Sequence, residues 1–114
     1  MNIVEKNVIE MDKLEKYIDI FKALGDNTRF KIVLLIISSN NNVCVTAIAN
    51  QLSVSQPAVS QHLKILKHAG IVISKKMGYH SHYSINLNVI DEISDFINNL
   101  KAISSQKTCH SKCK

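Results

Sequence analysis

The chemistry-bearing residues of this 114-residue chain are few: Cys44, and near the end Cys109, His110 and Cys113 in Cys-His-x-x-Cys spacing. Two thiolates and an imidazole so close together make a soft ligand set suited to Zn, Cd, Pb or Cu(I), and a third thiolate from Cys44 would complete a pyramidal As(III) site. Other readings stay open: Cys109 and Cys113 as a redox-active dithiol, all three thiols as incidental, and Cys44 as a small buried hydrophobe. An odd cysteine count with no export signal argues against a disulfide scaffold and for reduced thiols. No nucleophile–base pair, phosphate-cradling glycine loop or paired carboxylate motif is present, so an enzyme is the weakest function class.

Charge is the second feature. The formal net charge is +5, and its distribution matters more than its size. Between Asn27 and Asn86 stand six basic residues (Arg29, Lys31, Lys64, Lys67, Lys75, Lys76) and no Asp or Glu. Such a segment has nothing to repel a polyanion, which points to nucleic acid ahead of an anionic membrane. A composition 46% hydrophobic and 20% charged is that of a globular chain of about one domain. The longest apolar run, Ile32 to Ile37, is far short of the roughly 18 residues that cross a bilayer. A cytoplasmic protein with no membrane segment is the expectation.

The elements that must position these residues follow from periodicity. Met11, Leu14, Ile18, Phe21 and Leu24 make one stripe of an amphipathic first helix. Gly25 is then expected to supply a left-handed stop, and Asp26 to cap a second helix over Asn27 to Ser38, whose apolar run is expected to be buried. The polar loop Ser38–Asn42 leads to a short third helix bearing Val45, Ile48, Ala49 and Leu52. Ser55 caps a fourth, Gln56 to Ala69, whose first turn tolerates Pro57 and which Gly70 ends. Ile71–Lys76 and His80–Ile85 flank Met77-Gly78-Tyr79 as a hairpin with a basic tip. A fifth helix runs from Val89 to about Ile103. The expectation is a domain over 1–104 and a cysteine-containing tail over 105–114.

The outward positions of the fourth helix, Gln56, Ser60, Gln61, Lys64 and His68, are all polar and none is acidic, over roughly 20 Å at the helical rise. That suits a DNA major groove. Ser55, Gln56, Ser60 and Gln61 are the candidates for base edges, and Lys64, Lys75 and Lys76 for phosphates. His62 points back and reads as structural. His80 and His82 share one strand face and read as phosphate- or solvent-facing ahead of metal-binding. The pattern predicts a mainly α winged helix-turn-helix of five helices and a two-stranded wing. A nonspecific architectural DNA-binding protein, with a steep salt dependence and little preference for an inverted repeat, is the rival within that fold.

The segments Ala23-Leu24-Gly25-Asp26-Asn27-Thr28-Arg29 and Leu52-Ser53-Val54-Ser55-Gln56-Pro57-Ala58-Val59-Ser60-Gln61-His62-Leu63-Lys64-Ile65-Leu66 closely resemble the arsenical-resistance repressor (ArsR) family, in register from about Leu14 to Leu100. The resemblance implies a homodimeric repressor of double-stranded DNA, dimerised through its first and last helices and released by inducers, often thiophilic metals. Leu14, Ile18, Phe21, Ile93, Ile97 and Leu100 would form that interface, and a two-fold dimer would read an inverted repeat. Metal-responsive relatives often open the third helix with Cys-Val-Cys; here the match is Cys44-Val45-Thr46, so one thiol is kept and a two-thiol site there is lost. The Asp/His site that relatives carry on the last helix has no histidine here. Cys109, His110 and Cys113 are the candidates to replace them, together with Cys44.

Overall fold

A computed structural model describes residues 11–105 of the chain. Its elements are α1 (Met11–Leu24), α2 (Asn27–Ser38), β1 (Val43–Cys44), α3 (Val45–Leu52), α4 (Gln56–His68), β2 (Val72–Met77), β3 (His80–Ile85) and α5 (Leu87–Ser104). The five helices stand where periodicity and capping residues put them. The sheet does not: it is three-stranded and antiparallel, ordered β1-β3-β2, with Val43 opposite Tyr83 and Cys44 opposite His82. The two-stranded wing is thereby corrected. A two-residue strand carries no period of its own, and only its pairing with a strand 40 residues away defines it.

Two further expectations are corrected at the turns and helix faces. Gly25 is absent from the positions of positive φ, which include Gly70 at +83° and Gly78 at +69°. Its small size matters instead, because an added Cβ would lie 3.3 Å from the Phe21 carbonyl oxygen. Helix α2 buries Ile32, Val33 and Ile36 but turns Leu34 and Ile37 outward, each about half exposed in the single chain. A helix with one core face cannot bury a run that goes all the way round it.

The core gathers Tyr17, Ile20, Ala23, Ile32, Ile36, Ile48, Val59, Leu63, Leu66, Ile71, Ile85 and Phe96 among others. Helix α1 therefore has two apolar faces. Tyr17 and Ile20 go inward, the Tyr17 ring stacking on Phe96 of α5 at 4.4 Å between centroids. Ile18 and Phe21 stay exposed. The exposed Lys16–Glu92 ion pair at 2.7 Å also joins α1 to α5. Leu14 and Ile93, expected in a dimer interface, pack partly buried against the chain's own core, whereas Ile97 and Leu100 remain open.

Candidate nucleic-acid interface

Helix α4 is set by its cap and its buried side. Ser55 is extended at the N-cap and its Oγ accepts from the Ala58 N–H at 3.3 Å. Pro57 lies in the first turn, where no N–H is needed. Val59, Leu63 and Leu66 are buried, so the helical period rotates Gln56, Ser60, Gln61 and Lys64 into solvent. Lys67 and His68 complete a basic last turn, favourable to the helix dipole.

The back of α4 is fastened to the α1–α2 corner. Asp26 caps α2 by accepting from the Arg29 N–H at 3.0 Å. The Arg29 side chain then spans three elements: Nε donates to the Ala23 carbonyl at the end of α1 at 2.7 Å, and Nη1 lies 3.4 Å from Nδ1 of His62 on α4. His62 Nδ1 is also 4.0 Å from Asp26 Oδ2. The capped backbone N–H of Arg29, followed by the charges of Arg29 and His62, holds the Asp26 carboxyl below the usual carboxylate range. His62 is thus the hydrogen-bonded structural histidine its position suggested. Its neighbours Gln61 and Ser60 are exposed.

Alternation along β2 separates the two wing lysines. Lys76 pairs with Ser81 and shares a face with Val72, Ser74, Tyr83 and Val43, the face turned toward the core and α4. Lys75 pairs with His82 on the reverse face, in the same cross-sheet row as Cys44. A shallow groove lined by Ser60, Leu63, Lys64, Lys67 and Tyr83 joins α4 to the wing. Tyr79, 98% exposed, stands at the wing tip beside Gly78, whose positive φ the tight hairpin needs. Sequence reasoning missed Lys67 and Tyr83 as groove residues. The acid-free segment flagged Lys67, while only strand pairing brings Tyr83 alongside.

The Asn40-Asn41-Asn42 loop does more than connect. Asn40 and Asn41 adopt left-handed φ of 59° and 57°, a conformation asparagine tolerates better than most residues. The chain doubles back, and Asn41 Oδ1 accepts from the Ile85 N–H at 3.2 Å while Asn42 Oδ1 meets His82 Nδ1 at 2.7 Å. The end of α2 is thereby stitched to the wing, which brings β1 onto β3.

Cys44 is half-buried at the N-cap position of α3 and is a free thiol. Among the described residues no group of three His, Cys, Asp or Glu side chains converges to hold a metal ion. Cys109, His110 and Cys113 lie outside the described residues. No described helix is long and apolar enough to cross a membrane.

Comparison with known proteins agrees with this architecture. Residues 26–74 match the bacterial regulatory protein, arsR family. Over 90 residues the chain is 41% identical to an uncharacterized HTH-type transcriptional regulator of Methanocaldococcus jannaschii, spanning 79% of this chain and 100% of that one. It is 38% identical over 72 residues to the arsenical resistance operon repressor of Escherichia coli, covering 63% of this chain and 61% of the relative. In three dimensions it superposes on a homodimeric winged helix-turn-helix DNA-binding domain from Mycobacterium bovis, a possible ArsR-family regulator, with a TM-score of 0.65 at 20% identity, covering 90% of this chain and 93% of the other. Both sequence relatives are named as regulators of transcription. The chain belongs to the arsR family of bacterial regulatory proteins.

Proposed function

We propose that this protein is a cytoplasmic transcriptional repressor that binds an inverted repeat as a homodimer and leaves it when a thiophilic metal or metalloid ion binds. The observation that carries the DNA-binding part is the exposed, acid-free face of α4, held from behind by the Arg29–His62 clamp. Ser55, Gln56, Ser60 and Gln61 read base edges from that face, Gln pairing bidentately with adenine. Lys64 and Lys76 take phosphates on the same side, and Lys75 reaches phosphate from the reverse face of the wing. Residues 1–104 serve as the DNA-binding and dimerisation domain and 105–114 as a cysteine-carrying tail.

Dimerisation is supported by the exposed Ile18 and Phe21 on α1 and Ile97 and Leu100 on α5, an apolar surface the monomer's own core leaves uncovered. A two-fold pairing through these helices would set the two copies of α4 roughly 34 Å apart, one turn of DNA. The test is binding to the DNA upstream of the protein's own gene. Tight binding to an inverted repeat with a shallow response to unrelated sequence supports the reading. Equal affinity for all duplexes, with only a steep salt slope, would instead mark an architectural protein.

The sensing part rests on Cys44 together with Cys109, His110 and Cys113, and is supported by kinship with an arsenical resistance operon repressor. The described residues fit such an ion only in part, since Cys44 is their single thiol and needs donors from elsewhere. When bound, a thiophilic ion supplies a crosslink among deprotonated sulfur and imidazole donors. Cys44 stands at the start of α3, the helix that supports α4, so tying it to the tail biases the element that grips DNA. Ion and operator must then weaken each other's binding by the same factor. Truncation after Ser105 is expected to keep repression and abolish release by Cd(II), Pb(II), Zn(II) or As(III), and Cys44→Ser to do likewise. A truncated protein that still responds fully would move the sensor elsewhere.

A further inference from the structure

We propose that Tyr83 and Lys67, together with Lys64, seat one phosphate of the DNA backbone where the duplex passes from α4 to the wing. This rests on the repressor reading above and adds to it a phosphodiester site with two residues that reading does not use. The groove they share is lined by Ser60, Leu63, Lys64, Lys67 and Tyr83. Ser60, Lys64 and Lys67 stand at i, i+4 and i+7 along α4 and so form one stripe. Buried Leu63 makes the floor, and half-buried Tyr83 supplies the opposite wall from β3.

The donors in this groove suit an anion. Among the described residues the ion pairs are Lys16–Glu92 and His62–Asp26, so neither Lys64 nor Lys67 is neutralised by a carboxylate there. Two ammonium groups on neighbouring positions of one helix face repel each other, and an anion held between them turns that repulsion into attraction. Tyr83 adds a directed donor. Its ring packs against the core, while its hydroxyl bonds to no other described residue. No unpaired polar side-chain atom is buried among the described residues, so the hydroxyl opens to solvent, where a phosphate oxygen can accept from it.

Placement selects the DNA backbone over a free phosphate. An α-helix with its side chains is about 10–12 Å across and the major groove of B-DNA is about 12 Å wide, so a helix lying in it has a sugar-phosphate strand close along each flank. On the flank where the wing stands, that strand crosses the seam between α4 and β3, which is this groove. The track continues beyond it: Tyr83 pairs with Ser74, and Lys76, two residues along β2 on the same face, is a diagonal neighbour roughly 7–8 Å away. Ser60 marks the other end, where the groove meets the base-reading positions. Ile18, Phe21, Ile97 and Leu100 line no part of the groove, so dimerisation through them does not use it up.

The experiment uses the full-length protein, the DNA upstream of its own gene and an unrelated duplex, with affinities taken at several salt concentrations. Tyr83→Phe keeps the packed ring and loses one hydrogen bond to a charged group, so both duplexes should bind about tenfold more weakly with the salt slope unchanged. Lys67→Gln should also weaken both alike but lower the slope by about one, and Lys67→Arg should restore it. Single methylphosphonate substitutions along the upstream DNA locate the seat: one neutral linkage should cost the native protein affinity and cost Tyr83→Phe and Lys67→Gln much less. In the unmutated protein the Tyr83 ring resonances should shift with either duplex and not with inorganic phosphate at the same phosphate concentration, a readout independent of whether any variant folds. If both variants bind with native affinity and slope, or if their losses add in full to that of every methylphosphonate, the seat is wrong and the repressor reading survives. A Tyr83 shift with inorganic phosphate but not with duplex would make the groove a small-anion site and overturn its assignment to DNA. If the native protein binds neither duplex, both readings fall.

Discussion

The apolar stripe on α1 and α5 gives a prediction with a magnitude. Ile97 is 50% exposed in the single chain, so a two-fold interface that covers it removes about half of its surface from water. Full burial of an isoleucine is worth roughly 1.5–3 kcal/mol, so half corresponds to ~0.8–1.5 kcal/mol per protomer. Symmetry doubles this to ~1.5–3 kcal/mol per dimer, or roughly 10- to 150-fold in the dissociation constant. Ile97→Ala should fall at the lower end, because alanine keeps the Cβ. Ile97→Asp adds the desolvation of an unpaired carboxylate and should give a monomer at micromolar concentration. The fold itself should survive, since neighbouring Phe96, not Ile97, anchors α5 through its stack with Tyr17. Sedimentation across a dilution series measures the dimer, and operator binding should collapse with it because a single half-site is weak. An Ile97→Asp protein that dimerises like the native one would refute the interface. So would a native protein that is monomeric at micromolar concentration yet grips an inverted repeat.

Gln61→Ala should weaken specific DNA binding by ~1–3 kcal/mol and relax base preference, whereas Lys76→Ala should weaken all sequences alike and lower the salt slope by about one; equal specific and nonspecific losses in both variants would contradict the division of roles. Because Lys75 stands on the reverse face of the wing, Lys75→Ala should change the salt slope less than Lys76→Ala, as read from affinities at several salt concentrations. Asn41→Gly keeps the left-handed backbone but loses the bond to Ile85, costing ~1 kcal/mol, while Asn41→Ala also incurs the conformational penalty and should cost ~2–3 kcal/mol by denaturant titration. The depressed pKa of Asp26 means that its ionised form stabilises the fold above the unfolded-state value near ~3.9 and that this contribution fades as pH falls through the lower folded value. The stability gap between native protein and Asp26→Asn should therefore be flat from neutral pH to about 5 and shrink below about 4; a gap that widens in acid would show the opposite sign of coupling.

Local chemistry was legible in the chain itself. Five helices, the Ser55 and Asp26 caps, the glycine ends at Gly70 and Gly78 and the outward face of α4 follow from spacings of three and four residues and from single residues with strong backbone preferences. These interactions close within a few residues, so sequence order encodes them directly. Other features required distant segments to meet. The Ile32–Ile37 run looked uniformly buried, yet which of its sides faces the core depends on where Tyr17, Ile20 and the sheet lie. The Arg29–His62 clamp joins residues 33 apart, and no spacing rule announces it. The strand β1, the split of Lys75 from Lys76 and the pairing of Cys44 with His82 all depend on register, which a one-residue slip would reverse. That register is fixed by burial of Val43, Val72 and Ile85 and by the bonds from Asn41 and Asn42, contacts that exist only once the chain has folded.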